Sequence, residues 1–387
     1  IAVTDGHVLH PDGSVSREDV LVDQQTGEIR EVGVGLAGDR TLSAAGGLVM
    51  PGLVNAHTHA AMTLMRGYAD DKPLEEWLQD DIWPAEAALE PEDVRAGTEL
   101  ALLEMIRSGT TAFADMYFHM DEVLTAVERA GLRARLSHGI ITVGKDEADA
   151  EADVQAGIEF ARRSKDRTDD RIRPALSPHS LTTVSETALR ETVSAARELA
   201  VPLHIHANET VEEVEPLVEE HEVRPLEFAA EQGLLESQDF LAHGVHLDER
   251  EVKLLAEQRP SVVHCPASNM KLASGMAQVE RLRAAGVPLA LGTDGAASNN
   301  DLDMFGEMRD AAMIGKLAAG DASAVPAETV IRMATEGGAR ALGLPGGQIE
   351  GGSAADLIVV DFQTPRLTPV HEYPSHLVYA ATGSDVR

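Results

Sequence analysis

His57 and His59, separated by one threonine in the run Pro51-Gly52-Leu53-Val54-Asn55-Ala56-His57-Thr58-His59, are spaced to share a metal ion. In a strand, residues two apart leave on the same face. If Leu53-Val54 opens a strand, both imidazoles therefore leave it as neighbours. Such a pair can equally be packed or solvent-facing, so a metal site needs more ligands and a proton-transfer group from elsewhere. Candidates recur downstream. His206 lies near the end of Pro202-Leu203-His204-Ile205-His206-Ala207, with His204 further from that end and better suited to interior packing. Glu209 follows three residues later, where a carboxylate can reach a metal-held water without binding the metal. Asp294 ends Leu291-Gly292-Thr293-Asp294 with a hard oxygen. Three neutral imidazoles and one carboxylate suit a single Zn²⁺ or Fe²⁺, and accept Mn²⁺, with one position left for water. His243, in Ala242-His243-Gly244, then has no ligand duty and is free to orient the water or the reacting group.

These residues need a scaffold that brings them together. Strand-like runs fall at 53–57, 111–115, 133–139, 172–178, 202–207, 240–245, 261–265 and 288–293. Helical patterns separate them. Pro91 can open a helix reaching towards Gly109, Asp248 with Glu251 reads as a capping box before 249–258, Gly286 stops a helix over 279–285, and Pro326 opens another. Eight strands each followed by a helix read as an α/β (β/α)8 barrel over 51–344. An open doubly wound sheet competes, but no GxGxxG or P-loop stretch is present to hold a nucleotide there. The ends, 1–50 and 345–387, carry short β runs with turns at Asp12-Gly13 and Thr26-Gly27, and predict one small β domain built from both termini. In a barrel, function collects at the C-terminal strand ends. Those ends carry His57, His59, Asp115, His138, His179, His206, His243, His264 and Asp294.

Composition narrows the function classes. The single cysteine, Cys265, excludes an internal disulfide and any multi-cysteine zinc site, and reads as a small packed residue. Acids outnumber bases 65 to 32, for a net charge of −33, and only six bases are lysine. A surface so anionic argues against nucleic acid as a partner, because phosphate binding needs cations. It fits a protein working in high salt, where screening over a few ångströms removes self-repulsion. No apolar run approaches the roughly 20 residues of a membrane helix, and no signal peptide opens the chain. A soluble, cytoplasmic protein without membrane contact is expected. The chain begins at Ile1 and stops at Arg387 without an obvious terminal helix, and is expected to lack residues at both ends.

Five motifs in order, PGLVNAHTH, HIHANET, LAHGVHLDE, VVHCPASNMKLASG and GTDGAASNN, resemble the amidohydrolase superfamily, and within it the 5-methylthioadenosine/S-adenosylhomocysteine deaminase family. The likeness runs from the N-terminal β segments to Val360. It implies a deformed (β/α)8 barrel with a small β-sandwich from both ends, and one catalytic metal, usually zinc. By position, it implies His57, His59, His206 and Asp294 as ligands, Glu209 as proton shuttle and His243 beside the attacked carbon. Glu86, in Ile82-Trp83-Pro84-Ala85-Glu86, matches a ribose-contacting glutamate, and His179, in Ser177-Pro178-His179-Ser180, a second substrate contact. Self-association is a family-level expectation.

The sequence departs from the family at the third strand, where His138-Gly139 replaces an Arg-Gly pair. No arginine follows in 142–153 to meet the carboxylate of a homocysteine tail. That segment carries Asp146, Glu147, Asp149, Glu151 and Asp153, and is expected to repel such a tail, favouring neutral 5′-substituents. Leu181-Thr182-Thr183 stands where an aromatic residue is usual.

The implied reaction is hydrolytic deamination of an adenine nucleoside: methylthioadenosine, S-adenosylhomocysteine, adenosine or 5′-deoxyadenosine. The metal lowers the pKa of water towards roughly 7. That water attacks C6 of the purine while Glu209 protonates the ring nitrogen, help typically worth about 10² to 10⁴ in rate. Binuclear chemistry is disfavoured, since the fourth strand, Arg171 to Ser177, has no lysine to carry a bridging carboxylate. Two readings compete: another mononuclear member acting on guanine, cytosine or a chlorinated triazine, and a non-catalytic binding protein of the same fold.

Overall fold

The computed structural model describes residues 1–165 and 170–387. Strands β1 (Leu53–Thr58), β2 (Thr110–Tyr117), β3 (Arg133–Ile140) and β4 (Ile172–Pro174) pair in that order, all parallel. Strands β5 (His204–Ala207), β6 (Phe240–His243), β7 (Ser261–His264) and β8 (Leu289–Leu291) form a second parallel sheet. All eight expected strands are present.

The sequence predicts one unbroken strand over 172–178, but the chain breaks at Ala175-Leu176 and pairs with β3 again through Ser177–Pro178. Pro174 and Pro178 cannot donate to a ladder. The residues between them divide their bonds: Ala175 N–H donates to Leu136, and Leu176 N–H turns to Pro202 ahead of β5. Isolated parallel bridges Leu176–Leu203 and Ser180–His206 continue that seam between the two sheets. At the other seam, Asp294 N–H donates to the His57 carbonyl at 3.0 Å. Gly292 comes so close to β1 that a Cβ there would stand 2.8 Å from the His57 backbone.

Between neighbouring strands the helices begin and end as their punctuation predicts. One spans Pro91–Arg107 with proline in its first turn, and another, Glu249–Gln258, carries the Asp248/Glu251 capping box. Alternate residues of the strands point to a common interior. Val54, Ala56, Ala112, Ala114, Phe240 and Val263 are buried there together with Cys265, as expected of a packed thiol.

The chain ends build two small four-stranded sheets. One joins Ala2–Thr4, Asp19–Val22, Ile29–Gly33 and Thr41–Ser43. The other joins His7–Leu9, Val15–Ser16 and Leu48–Pro51 to Leu357–Val360, which runs antiparallel to Leu48–Pro51 and so ties the late segment to the early one. Both expected hairpins are present. The helix Tyr373–Tyr379 has no counterpart in the sequence reading, because seven residues opened by Pro374 carry little periodic signal. Among the described residues, no helix is long and apolar enough to cross a membrane.

Candidate active site

Four side chains converge at the C-terminal strand ends. His57 is on β1, His59 just beyond it, His206 on β5 and Asp294 three residues past β8. One donor atom from each lies within 4.8 Å of the others. Asp294 Oδ1 stands 3.3 Å from His57 Nε2 and 3.2 Å from His59 Nε2, and His206 Nε2 is 3.2 Å from His59 Nε2.

The opposite ring nitrogens are already engaged. His59 Nδ1 donates to the Met116 carbonyl at 2.6 Å, His206 Nδ1 to the His179 carbonyl at 2.7 Å, and His57 Nδ1 meets His204 Nε2 at 2.8 Å. Each Nε2 is left as the free donor, the arrangement by which outer partners fix metal-binding imidazoles. Buried His57 Nε2 makes no hydrogen bond. Asp294 Oδ2 accepts from Ser268 Oγ (2.6 Å) and Ser298 Oγ (2.9 Å), which leaves Oδ1 for the common point. Burial pushes the Asp294 carboxyl up, but His57 and His59 outweigh it and hold the group well below the ordinary range. A divalent ion fits this donor set.

Two further constraints aim the site. Asn55 Nδ2 donates to Thr293 Oγ1 (2.7 Å) and its Oδ1 accepts from Thr293 N–H (2.9 Å), which locks β1 to the residue before Asp294. Asn208, His243 and Asp294 each hold a left-handed backbone, at φ of +53°, +74° and +60°. Non-glycine residues rarely adopt this conformation, and it clusters where side chains must be aimed.

Glu209 and His243 face each other beside the four ligands, with Glu209 Oε2 3.4 Å from His243 Nε2. Ser274 Oγ donates to Glu209 Oε1 at 3.0 Å, and His243 Nδ1 donates to Asn269 Oδ1 at 2.8 Å. Burial raises the Glu209 pKa above the usual carboxylate value, so the group holds its proton more readily. Burial opposes a charged His243, but Glu209, Asp294 and the Asn269 bond outweigh it and lift its pKa.

A cavity of about 780 Å³ opens over this cluster, and Glu86, His138 and His179 line it together with His59, His206, Glu209, His243 and Asp294. His57 is not among the lining residues and joins the site from beneath them, through the four-ligand cluster. Glu86 Oε1 is buried without a hydrogen-bond partner, and burial pushes this carboxyl up to about 7. Two other strand-end candidates are not among the lining residues. Asp115 accepts the Ala60 N–H, and both ring nitrogens of His264 are buried without partners.

The expectation for 142–153 needs correcting. Asp146, Glu147, Asp149 and Glu151 are exposed and do not line the cavity; Asp153 does, in contact with Lys145. Strand ends and spacing gave no signal for Lys145, Ser274, Ser268 or Ser298. Their side chains arrive from loops and short helices; Ser268 and Ser274 meet partners 26 and 65 residues away, while Ser298 and Lys145 meet near neighbours that strand patterning does not mark.

The sequence profile of the amidohydrolase family matches residues 48–386. The chain is 65% identical over 387 residues to a 5-methylthioadenosine/S-adenosylhomocysteine deaminase of Halobacterium salinarum, covering all of this chain and 90% of that protein. It is 46% identical to a 5′-deoxyadenosine deaminase of Methanosarcina mazei over 392 residues, again covering 100% and 90%. Among solved structures, an adenosine deaminase from Xanthomonas campestris with bound zinc superposes with a TM-score of 0.93 at 40% identity, covering all of this chain and 90% of that one. The chain belongs to the amidohydrolase family, within its 5-methylthioadenosine/S-adenosylhomocysteine deaminase group.

Proposed function

We propose that this protein is a metal-dependent aminohydrolase that converts an adenine nucleoside to its inosine derivative and ammonia. The observation that carries this reading is the placement of Glu209 and His243 side by side at a His57/His59/His206/Asp294 centre, inside a cavity large enough for a nucleoside. Zinc is the ion of choice for this donor set, in keeping with the zinc in the Xanthomonas structure. When bound, the ion supplies the acidity that makes a water nucleophilic near neutral pH.

The chain's own groups do the rest. Glu209, buried and inclined to hold a proton, donates it to the ring nitrogen beside C6, which prepares that carbon for attack. It then takes both protons of the attacking water in turn, passes the first to the departing amine and keeps the second as the C6 oxygen becomes a carbonyl, so the carboxyl ends protonated, as it began. Ser274 holds one Glu209 oxygen and leaves the other to face His243 and the substrate. Asn269 fixes His243 so that Nε2 points at the reacting centre. Glu86 and His179, at the cavity wall, are placed to take the ribose hydroxyls, with His179 set by Thr183 at 3.0 Å.

We read residues 51–344 as a closed (β/α)8 barrel, and 1–50 with 345–387 as a small β-sandwich. In support, all strand pairs of the middle are parallel, and hydrogen bonds cross both seams between its sheets. The working location is the cytoplasm.

The test is ammonia release from purine nucleosides, free bases and triazines at several salt concentrations. Adenine nucleosides should react, and Glu209→Gln should keep the metal while losing nearly all turnover, about 10² to 10⁴ or more. A metal-loaded, active Gln variant would sink the assignment of Glu209.

A further inference from the structure

We infer that Asp153 is a specificity-determining residue that fills the cationic corner of the cavity from within and so selects nucleosides with an uncharged 5′-substituent. This inference rests on the nucleoside reading above.

His138, near the end of β3, donates from Nε2 to Asp153 Oδ1 at 2.9 Å. The other oxygen, Oδ2, accepts the Ile141 N–H at 2.8 Å and lies 3.0 Å from Lys145 Nζ. His138, Lys145 and Asp153 all line the cavity. Burial raises the Asp153 pKa, but these hydrogen bonds outweigh it and leave the group ionised below its usual value. A carboxylate of the chain thus already takes the contacts that a carboxylate of the substrate would need.

The position fits the far end of a nucleoside. Glu209, His243 and Asp294 hold the purine end, at and beyond the ends of β5, β6 and β8. His206 N–H donates to the His179 carbonyl and His179 N–H to the Ile140 carbonyl, so the lining passes from β5 by way of His179 to the end of β3 and His138; on the nucleoside reading the group at the 5′-carbon then meets the Asp153 corner. Among the described lining residues, Lys145 is the one lysine or arginine, and Asp153 already holds it. A tail carboxylate entering this space must leave water and displace Asp153 from Lys145 to find a cationic partner. An uncharged tail has no such cost, and Ile141 and Val143 of the same loop offer it apolar surface.

The test compares 5-methylthioadenosine and 5′-deoxyadenosine, whose 5′-groups are uncharged, with S-adenosylhomocysteine, whose tail carries a carboxylate and an ammonium. kcat/KM is measured on the metal-loaded protein, and Kd by calorimetry on metal-loaded Glu209→Gln, where turnover does not interfere. The native residues should favour the two uncharged substrates tenfold or more in both measures. Asp153→Asn, which can still accept the Ile141 N–H, should narrow the gap at least tenfold, mainly through KM of S-adenosylhomocysteine, by freeing Lys145. Adding Lys145→Met to Asp153→Asn should remove that gain. Equal or better use of S-adenosylhomocysteine by the native chain overturns the inference, and so does a gap unmoved in a folded Asp153→Asn protein with full metal content. Absence of ammonia from all three compounds overturns the deaminase reading instead, while the Kd values still decide the role of Asp153.

Discussion

His204 Nε2 lies 2.8 Å from His57 Nδ1, and both imidazoles are fully buried. Only one proton can sit between the two nitrogens. Because His57 must present the lone pair of Nε2 to a metal, its proton belongs on Nδ1 and is donated to His204. His204 is then protonated at its own Nδ1, which is buried without a partner, and its ring is held by stacking on Phe240 at 4.2 Å between centroids. A residue that reads from the sequence as interior packing therefore sets the tautomer of a ligand.

Replacing His204 with leucine should leave the fold in place and weaken metal binding by about 10- to 100-fold, the usual effect of losing an outer partner. Competition with a chelator of known affinity reads this directly. An unchanged affinity would remove His204 from any positioning role.

Glu86→Gln should act on substrate binding. Oε1 of the buried carboxyl has no partner of its own, and a hydrogen bond to a charged group is worth about 1.5–3 kcal/mol. KM for the preferred nucleoside should rise about 10- to 100-fold, with a smaller change in kcat. If KM stays put, Glu86 does not hold the ribose.

His264 gives a pH dependence of stability. Burial pushes its pKa from 6.5 down to about 3, and neither ring nitrogen has a partner. Between these values the unfolded chain binds a proton that the folded chain refuses. Stability therefore falls as pH drops from 6.5 towards 3, and this contribution is fully present above 6.5. His264→Leu removes the group from both states, so its melting temperature should decline less steeply over that window than that of the native protein. Parallel acid limbs for the two proteins would show that His264 does not titrate on unfolding.

The surface predicts a response to salt. With a net charge of −33 and close relatives in halophilic archaea, the folded state gains from screening. Melting temperature should rise between 0.1 and 2 M KCl, by about 1 °C for each kcal/mol of repulsion relieved in a chain of this size. A melting temperature that falls as salt is added contradicts the halophilic reading.

The sequence by itself determined the strands and the strand-end ligands, because both leave short-range marks. Alternating apolar runs bounded by turn residues marked β1 to β8, and one histidine two residues from another marked a shared face. His57, His59, His206, Glu209, His243 and Asp294 could thus be named before any contact was known. What the tertiary structure decided lies in contacts between distant segments. Spacing could not show that the break at Ala175-Leu176 hands hydrogen bonds from β3 to β5, that Asn55 locks Thr293, or that Ser268 occupies one oxygen of Asp294. The acids of 146–153 make the point most sharply. As composition they formed a repulsive segment, but most of them face solvent, and Asp153 alone enters the cavity because a helix starting at Glu147 turns it towards His138 and Lys145. Local pattern records which groups a strand end can offer, and only packing decides which of them share a space.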